Sequence, residues 1–178
     1  MLYRLKLRVV EKPWLGQQKT KDKIRKFRRD KKDRIAIDAI EWQWALASAA
    51  KALECNINVE TIRTESGFES PKTCLYNRRY HHKGKPLEEM FESIREGTII
   101  TLNVMVMESG EINGQQFQAP SKEELNWIFD YVGMFIGLSP WGSRWGFGRF
   151  EVDDIEQISM ASIKKESAAA PCTAADPQ

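Results

Sequence analysis

The segment from Thr98 to Met107, TIITLNVMVM, constrains the fold more than any other part of this 178-residue chain. Apolar residues fall on both of its faces, which is typical of a strand at the centre of a sheet. Residues 2–10 predict a second strand, because apolar side chains alternate there with Arg4, Lys6 and Arg8. The basic face of that strand is either solvated or a sheet surface that meets phosphates.

Two helices are predicted, and each begins at a capping residue. Asp38 caps the first helix, which covers about Ala39 to Leu53. Ser121 and Glu124 form a capping box for the second helix, which ends before Gly137. Apolar residues recur in both at helical spacing, so one face of each helix is expected to pack on a sheet.

The remaining segments carry weaker patterns. Residues 57–63 predict a short strand and residues 86–95 a short helix or loop. Phe150 and Val152 mark the inward face of a last strand. Taken in order, the elements predict an α+β fold: a ferredoxin-like (RRM-like) antiparallel sheet with two helices and a basic insertion after the first strand.

Composition and length indicate one globular domain. The chain is 42% hydrophobic and 29% charged, as in soluble proteins of this size. We expect a single domain over residues 1–158 and a disordered tail over residues 159–178, which has almost no apolar anchor. No apolar run reaches the roughly 18 residues of a membrane span. Three scattered cysteines predict neither a disulfide framework nor a zinc site, so a cytoplasmic location is expected.

Residues 19–34, KTKDKIRKFRRDKKDR, form a dense basic segment. Ten Lys and Arg against three Asp give +7, and since the whole chain carries +2, the remainder sums to −5. Such a block is typical of a polyanion site, although a solvated charge run has the same composition. With only Ile24 and Phe27 to bury, it is expected to order poorly without its partner. Phe27 could stack on a base or pin the segment to the body. The candidate nucleic-acid-binding residues here are Lys19, Lys21, Lys23, Arg25, Lys26, Phe27, Arg28, Arg29, Lys31 and Lys32.

Residues 75–82, LYNRRYHH, interleave aromatic and cationic side chains. This composition suits single-stranded nucleic acid, which needs rings for its bases and cations for its phosphates. The candidates are Arg78, Arg79 and Tyr80. His81 and His82 are either surface residues or, in an alternative hypothesis, general acid/base groups for RNA cleavage. No carboxylate lies near them at a ligand spacing, so no metal site is expected.

Residues 137–152, GLSPWGSRWGFGRFEV, form a glycine-rich crossover from the second helix to the last strand. A plain turn with buried tryptophans is one interpretation, in which Leu138 and Phe147 also belong to the core. Exposed Arg beside aromatic rings also suits contact with phosphates and bases. On that interpretation the candidate binding residues are Trp141, Ser143, Arg144, Trp145 and Arg149.

Two stretches resemble the RAMP superfamily of CRISPR-associated RNA-binding proteins. Residues 35–40, running into residues 46–50, resemble the start of the first helix in its backbone subunits. Residues 142–149 resemble the superfamily's C-terminal glycine-rich loop. The ending is also similar to that of a class of small phage proteins with the same plan. The resemblance implies nucleic-acid binding by the glycine-rich loop and by the insertion after the first strand.

These observations predict a non-enzymatic single-stranded nucleic-acid-binding protein. As a phage relative it would act on single-stranded DNA in replication or recombination, as a homo-oligomer in the host cytoplasm, with DNA favoured over RNA. The alternatives are an RNA-binding subunit of a CRISPR-like ribonucleoprotein, an endoribonuclease of that superfamily, or a protein-interaction module whose tryptophans form the interface. Walker, HExxH and GxSxG motifs do not occur in the sequence, so we expect no enzyme activity, no cofactor and no membrane partner.

Overall fold

The computed structural model describes residues 1–65, 67–68, 71–112, 114–138 and 145–159. The helices are α1 (Ala39–Ala52) and α2 (Lys122–Tyr131), with a 3₁₀ turn at Val59–Thr61 and a π-helical turn at Val132–Ile136 that extends α2. The strands, in chain order, are β1 (Leu2–Val9), β2 (Trp14–Leu15), β3 (Gln18–Lys19), β4 (Ile24–Lys26), β5 (Arg28–Arg29), β6 (Ile35–Ala36), β7 (Ile62–Thr64), β8 (Gly67–Phe68), β9 (Thr73–His82), β10 (Lys85–Ile94), β11 (Ile99–Val106), β12 (Gly110–Ile112), β13 (Gln115–Phe117) and β14 (Phe150–Gln157).

A four-stranded antiparallel sheet, in the order β14-β1-β11-β7, carries the main core. Leu5 of β1 lies between Leu102 of β11 and Ile155 of β14. Both helices pack on this buried face, where the rings of Trp42 and Phe129 lie 5.7 Å apart. The predictions of the first, the strongest and the last strand, and of both helices, are therefore confirmed.

The sequence predicts that both faces of β11 are covered, because apolar residues fall on both. The face of the sheet away from the helices does not meet this expectation. β11 does lie between two strands, but its Ile99 and Met105 are exposed. Two of the basic side chains of β1 on this face are neutralised by β14, because Lys6 pairs with Asp154 and Arg8 with Asp153. This face therefore offers paired charges rather than a free basic surface.

A second sheet is built around the long hairpin of β9 and β10, which are paired over ten residues each. On its other side β10 pairs with β2 and β4, and β4 pairs with β3. Residues 86–95 were predicted as a short helix or loop, and this prediction is wrong. Pairing with β9, β2 and β4 stabilises β10 as a strand. These partners cannot be read from the periodicity or the turn residues of β10 itself.

The basic segment, residues 19–34, is also ordered differently from the prediction. It forms β3, β4 and β5 instead of a segment that awaits a partner. Phe27 is only 9% exposed in the main core, and its backbone N–H donates to Glu92 at 2.8 Å. β5 continues into a small sheet with β6 and β8. Of the two interpretations of Phe27, the structure therefore favours the anchor over the stacking platform.

The predicted fold class is wrong. Strands make up 44% and helices 22% of the described residues, and the strands form several sheets instead of one ferredoxin-like (RRM-like) sheet. The insertion after the first strand, the segment before β11 and the β12–β13 hairpin after β11 supply the additional strands. No helix among the described residues is both long enough and apolar enough to cross a membrane. Residues 160–178 of the predicted tail lie outside the described residues, and the boundary at residue 158 stays a prediction.

Candidate nucleic-acid interface

An open groove of about 920 Å³ runs along the β9–β10 hairpin. Four stretches of the chain form it: the turn after β1, strand β4, the hairpin itself and the segment before β14. Its lining consists of four cations, two histidines, four aromatic rings and one leucine: Lys12, Arg25, Arg78, Arg79, His81, His82, Tyr76, Tyr80, Trp145, Phe147 and Leu87. No carboxylate is among these lining residues, so the groove is a cationic and aromatic surface.

Arg78 forms the floor of the groove, at 7% exposure. Strand alternation places Tyr76, Arg78 and Tyr80 on one face of β9. The Arg78 guanidinium carbon lies 4.8 Å from the ring centre of Phe147, 5.0 Å from that of Tyr80 and 5.6 Å from that of Trp145. Attraction between a cation and the faces of rings stabilises this stack. Arg78 therefore ties the hairpin to the Trp145–Phe147 segment.

Lys12 fixes the position of the Trp145–Phe147 segment, which forms the other side of the groove. Its ammonium donates to the carbonyl oxygen of Trp145 at 2.7 Å and lies 5.1 Å from the ring centre of Phe147. Phe147 is buried, as predicted, whereas Trp145 is 48% exposed. The indole of Trp145 is thus held at the rim with about half of its surface open to solvent, which is the arrangement that base stacking requires.

Glu89 on β10 holds the side chains of Arg25 and Tyr80 in place at one edge of the groove. Its carboxylate accepts from the Tyr80 hydroxyl at 2.7 Å and from Arg25 at 3.1 Å. Burial alone would raise the pKa of Glu89, but the hydrogen bonds from Tyr80 and Arg25 outweigh it, so that pKa lies below its ordinary value. The hydrogen bond that the Tyr80 hydroxyl donates to Glu89 also raises the pKa of the Tyr80 phenol.

Five of the predicted binding residues come together in this groove, although they lie far apart in the sequence. They are Arg25 from the basic segment, Arg78, Arg79 and Tyr80 from the hairpin, and Trp145 from the glycine-rich crossover. Three of the predicted segments thus meet at one surface.

The other residues of the basic segment do not line the groove. Arg28 pairs with Asp38 at 2.8 Å, and Arg29 pairs with Glu92. The carboxylates of Asp38 and Glu92 neutralise part of the +7 net charge of residues 19–34. Six lysines remain exposed, without an ion-pair partner in the described part of the chain: Lys19, Lys21, Lys23, Lys26, Lys31 and Lys32.

Arg149, another predicted binding residue, does not line the groove either. Its side chain is only 17% exposed, and its Nε lies 3.5 Å from a carboxylate oxygen of Glu11. Its backbone carbonyl accepts from the indole of Trp14 at 3.0 Å. The three remaining candidates, Trp141, Ser143 and Arg144, lie outside the described residues.

Sequence reasoning missed Lys12 and Tyr76, and it assigned Phe147 to the core only. Tyr76 had a usable signal, because it shares the period-two face of Arg78 and Tyr80. Lys12 had none, since it lies in a turn and meets Trp145 only through the fold. Among the described residues, no group of three or more His, Cys, Asp or Glu side chains is arranged to hold a metal ion.

Comparison with known proteins adds evidence on the fold. No family model and no curated protein matches the chain. A solved structure does: a chain of the Type III-B Cmr-beta complex bound to cognate target RNA, with a TM-score of 0.52 and 13% identity. The match covers 87% of this chain and 59% of that one, so this chain spans less than two thirds of its length. At this identity the likeness bears on the fold alone, and it does not support a phage origin.

Proposed function

We propose that this chain binds single-stranded nucleic acid in the groove along the β9–β10 hairpin, without cleaving it. The observation that carries the proposal is the composition of the lining, with four cations, four rings and no carboxylate among its described residues. Cations neutralise phosphates, and exposed rings stack on unpaired bases.

The residues divide between these two tasks. Trp145 presents about half of its surface at the rim and takes a base. The Arg79 side chain is 81% exposed, and its nearest carboxylate oxygen, on Glu88, lies at 3.6 Å, so it can turn to a phosphate at little cost. Arg78 holds the rings in place from below. Pre-positioned rings reduce the entropy that binding must overcome.

We propose RNA as the nucleic acid, and a ribonucleoprotein subunit as the role of the chain. The support is the fold likeness to a chain from a complex bound to its target RNA. Such a likeness at 13% identity bears on fold, so the ligand itself stays the proposal. The first sequence-based hypothesis, single-stranded DNA in phage replication or recombination, has no comparable support.

Cleavage is a separate question, because His81 and His82 also line the groove. Adjacent strand residues point to opposite faces, so the two imidazoles do not converge on one ribose. Acid/base cleavage is most effective with two positioned groups. Incubation of labelled RNA with the protein should leave it intact; cleavage that is lost in His81→Ala or His82→Ala would favour the endoribonuclease.

Binding is tested by fluorescence anisotropy with a labelled single-stranded RNA, in competition with single-stranded DNA and with duplex. About three phosphate contacts should give a slope of log K against log salt near −2. Arg79→Ala should reduce that slope by about 0.7. Lys122→Ala, which removes the same charge at the start of α2, is the matched control and should have no effect. A flat salt response, or equal competition by duplex, would contradict the proposal.

A further inference from the structure

The cationic surface of the groove continues across the second sheet to β3. Arg25 of β4 lines the groove, and Lys19 of β3 is its register partner in the antiparallel β3–β4 pair. Residues directly opposite each other in such a pair point to the same face of the sheet, with Cβ atoms about 4.5–5.5 Å apart. Lys19 therefore lies on the groove side of the sheet, one strand beyond Arg25, and it is exposed.

The register places one row of side chains across four neighbouring strands. Phe91 of β10 lies opposite Tyr76 of β9 on one side and beside Arg25 of β4 on the other, and Lys19 ends the row on β3. The Arg25 guanidinium carbon lies 5.9 Å from the ring centre of Phe91, as expected for side chains on a common face. Since neighbouring strands are about 4.8 Å apart, the row extends over about 14 Å, from the groove to the edge of the sheet.

Lys19, Arg25 and Glu89 together carry one positive charge in excess. Arg25 pairs with Glu89 at 3.1 Å, whereas Lys19 has no ion-pair partner in the part of the chain that the structure describes. Burial alone would raise the pKa of Glu89, but the hydrogen bonds from Tyr80 and Arg25 and the nearby charge of Lys19 lower it, so Lys19 acts on the same carboxylate. Like charges directly opposite each other destabilise a sheet, and one carboxylate offsets only one of the two cations.

We infer that Lys19 and Arg25 form a phosphate-binding subsite outside the groove, over which a bound single-stranded RNA leaves the groove and crosses β4 and β3. A phosphodiester brings the one negative charge that the three side chains lack. A charge-assisted hydrogen bond from a lysine ammonium to a phosphate oxygen is short and strong. The inference rests on the proposed function, because the phosphate belongs to the RNA whose bases stack in the groove. It adds a direction, since the RNA runs across the sheet at this end of the groove.

Lys26 provides a matched control on the neighbouring residue of β4. Adjacent strand residues point to opposite faces, so Lys26 faces away from Arg25 and the groove. Its register partner is the uncharged Gln18, and its side chain is exposed. Lys26 therefore has the charge of Lys19 and belongs to the same strand pair, but it lies on the wrong side of the sheet for the subsite.

The test is fluorescence anisotropy with a labelled single-stranded RNA of about ten nucleotides, which is within the usual site sizes for single strands. Lys19→Ala should reduce the slope of log K against log salt by about 0.7, the share of one phosphate. If that contact contributes nothing at 1 M salt, the affinity at 0.1 M salt falls about fivefold. Lys19→Arg, which keeps the charge, should retain the wild-type slope, and Lys26→Ala should not change it.

Thermal melting distinguishes this role from a structural one. Lys19→Ala should melt close to the wild type, because the attraction of Lys19 to Glu89 and its repulsion by Arg25 oppose each other. A side chain that merely supported β3 would instead lower the melting temperature when it is truncated, and Lys19→Arg would not restore the salt slope.

The outcomes separate this inference from the proposed function. An unchanged slope in Lys19→Ala, when the wild type binds RNA and Trp145→Ala binds more weakly, would overturn the inference alone. Equal reductions in Lys19→Ala and Lys26→Ala would also overturn it, since they would indicate a diffuse field of the whole basic segment. A wild-type chain that binds no single-stranded RNA would overturn the proposed function and the inference with it.

Discussion

Replacing Glu89 by Gln should destabilise the fold and at the same time strengthen nucleic-acid binding. Gln keeps an oxygen that can accept from the Tyr80 hydroxyl, but it removes the negative charge that pairs with Arg25 at 3.1 Å. Both side chains of that ion pair are about one quarter exposed. Arg25 lines the groove, so a phosphate can replace the lost carboxylate.

The two effects have different magnitudes. The contribution of this mostly buried ion pair lies between that of an exposed pair, at about 0.2–1 kcal/mol, and that of a hydrogen bond to a charged group, at about 1.5–3 kcal/mol. We therefore expect a stability loss of about 1 kcal/mol. One additional phosphate contact should steepen the salt slope by about 0.7. If that contact contributes nothing at 1 M salt, the affinity at 0.1 M salt rises by about fivefold.

The stability effect also has a defined pH dependence. Because the pKa of Glu89 is lowered in the folded state, its ionised form stabilises the fold above the unfolded-state pKa of about 4.3. This contribution is lost as the pH falls through the lower, folded-state pKa. Urea denaturation from pH 7 down to pH 3 should therefore converge for the wild type and Glu89→Gln at acidic pH.

Glu92→Gln is the matched control for these measurements. Glu92 lies on the same strand, pairs with Arg29 and accepts from the backbone N–H of Phe27, but it does not line the groove. It should lose stability and keep the wild-type salt slope in the anisotropy titration. The reasoning is refuted if Glu89→Gln binds with an unchanged or shallower slope, or if Glu92→Gln changes the slope equally.

Three other substitutions test the packing, the stacking and the thiol chemistry. Gly133→Ala would place a Cβ 2.0 Å from the carbonyl oxygen of Phe150, so the free energy of unfolding should fall by about 2 kcal/mol or more; an unchanged melting temperature would contradict this. Trp145→Ala should weaken single-stranded RNA binding about 5- to 150-fold, the equivalent of one stacked base, whereas Trp145→Phe should retain most of the affinity. Equal losses in the two variants would argue against stacking. The side-chain hydrogen bond between Cys74 and Ser93 lowers the pKa of the Cys74 thiol, so Ser93→Ala should shift the alkylation of Cys74 to higher pH; a pH profile that does not move would exclude that cause.

The elements that the sequence predicts correctly are those with a local signal. Ser121 and Glu124 make both hydrogen bonds of the capping box at the start of α2, and the carboxylate of Asp38 accepts from the backbone of Ile40 at the start of α1. β1 alternates over eight residues, with its odd-numbered residues buried from Tyr3 to Val9. Short-range geometry is enough in these places, because caps and periodicities involve residues within one or two turns.

The errors lie where the structure depends on partners distant in sequence. β4 pairs in parallel with β10, which brings Arg25 opposite Phe91 across more than sixty residues. The composition of the basic segment predicts a solvated arm. The sequence does not show that Glu89 and Glu92 lie beside this segment and pair with its arginines. The candidate site was predictable as three separate aromatic and cationic stretches. Their meeting in one groove was not, because it requires the anchoring of Trp145 by Lys12.

The position of the nucleic acid on the protein tests the central claim most directly. Ultraviolet cross-linking of a single-stranded RNA to the full chain, followed by mass spectrometry of the peptides, reports that position. We predict cross-links within Tyr76–His82 and at Trp145 or Phe147, lost in the presence of excess unlabelled single strand. Cross-links confined to the lysines of residues 19–32, or to the exposed face of β1 and β11, would contradict the groove as the binding site.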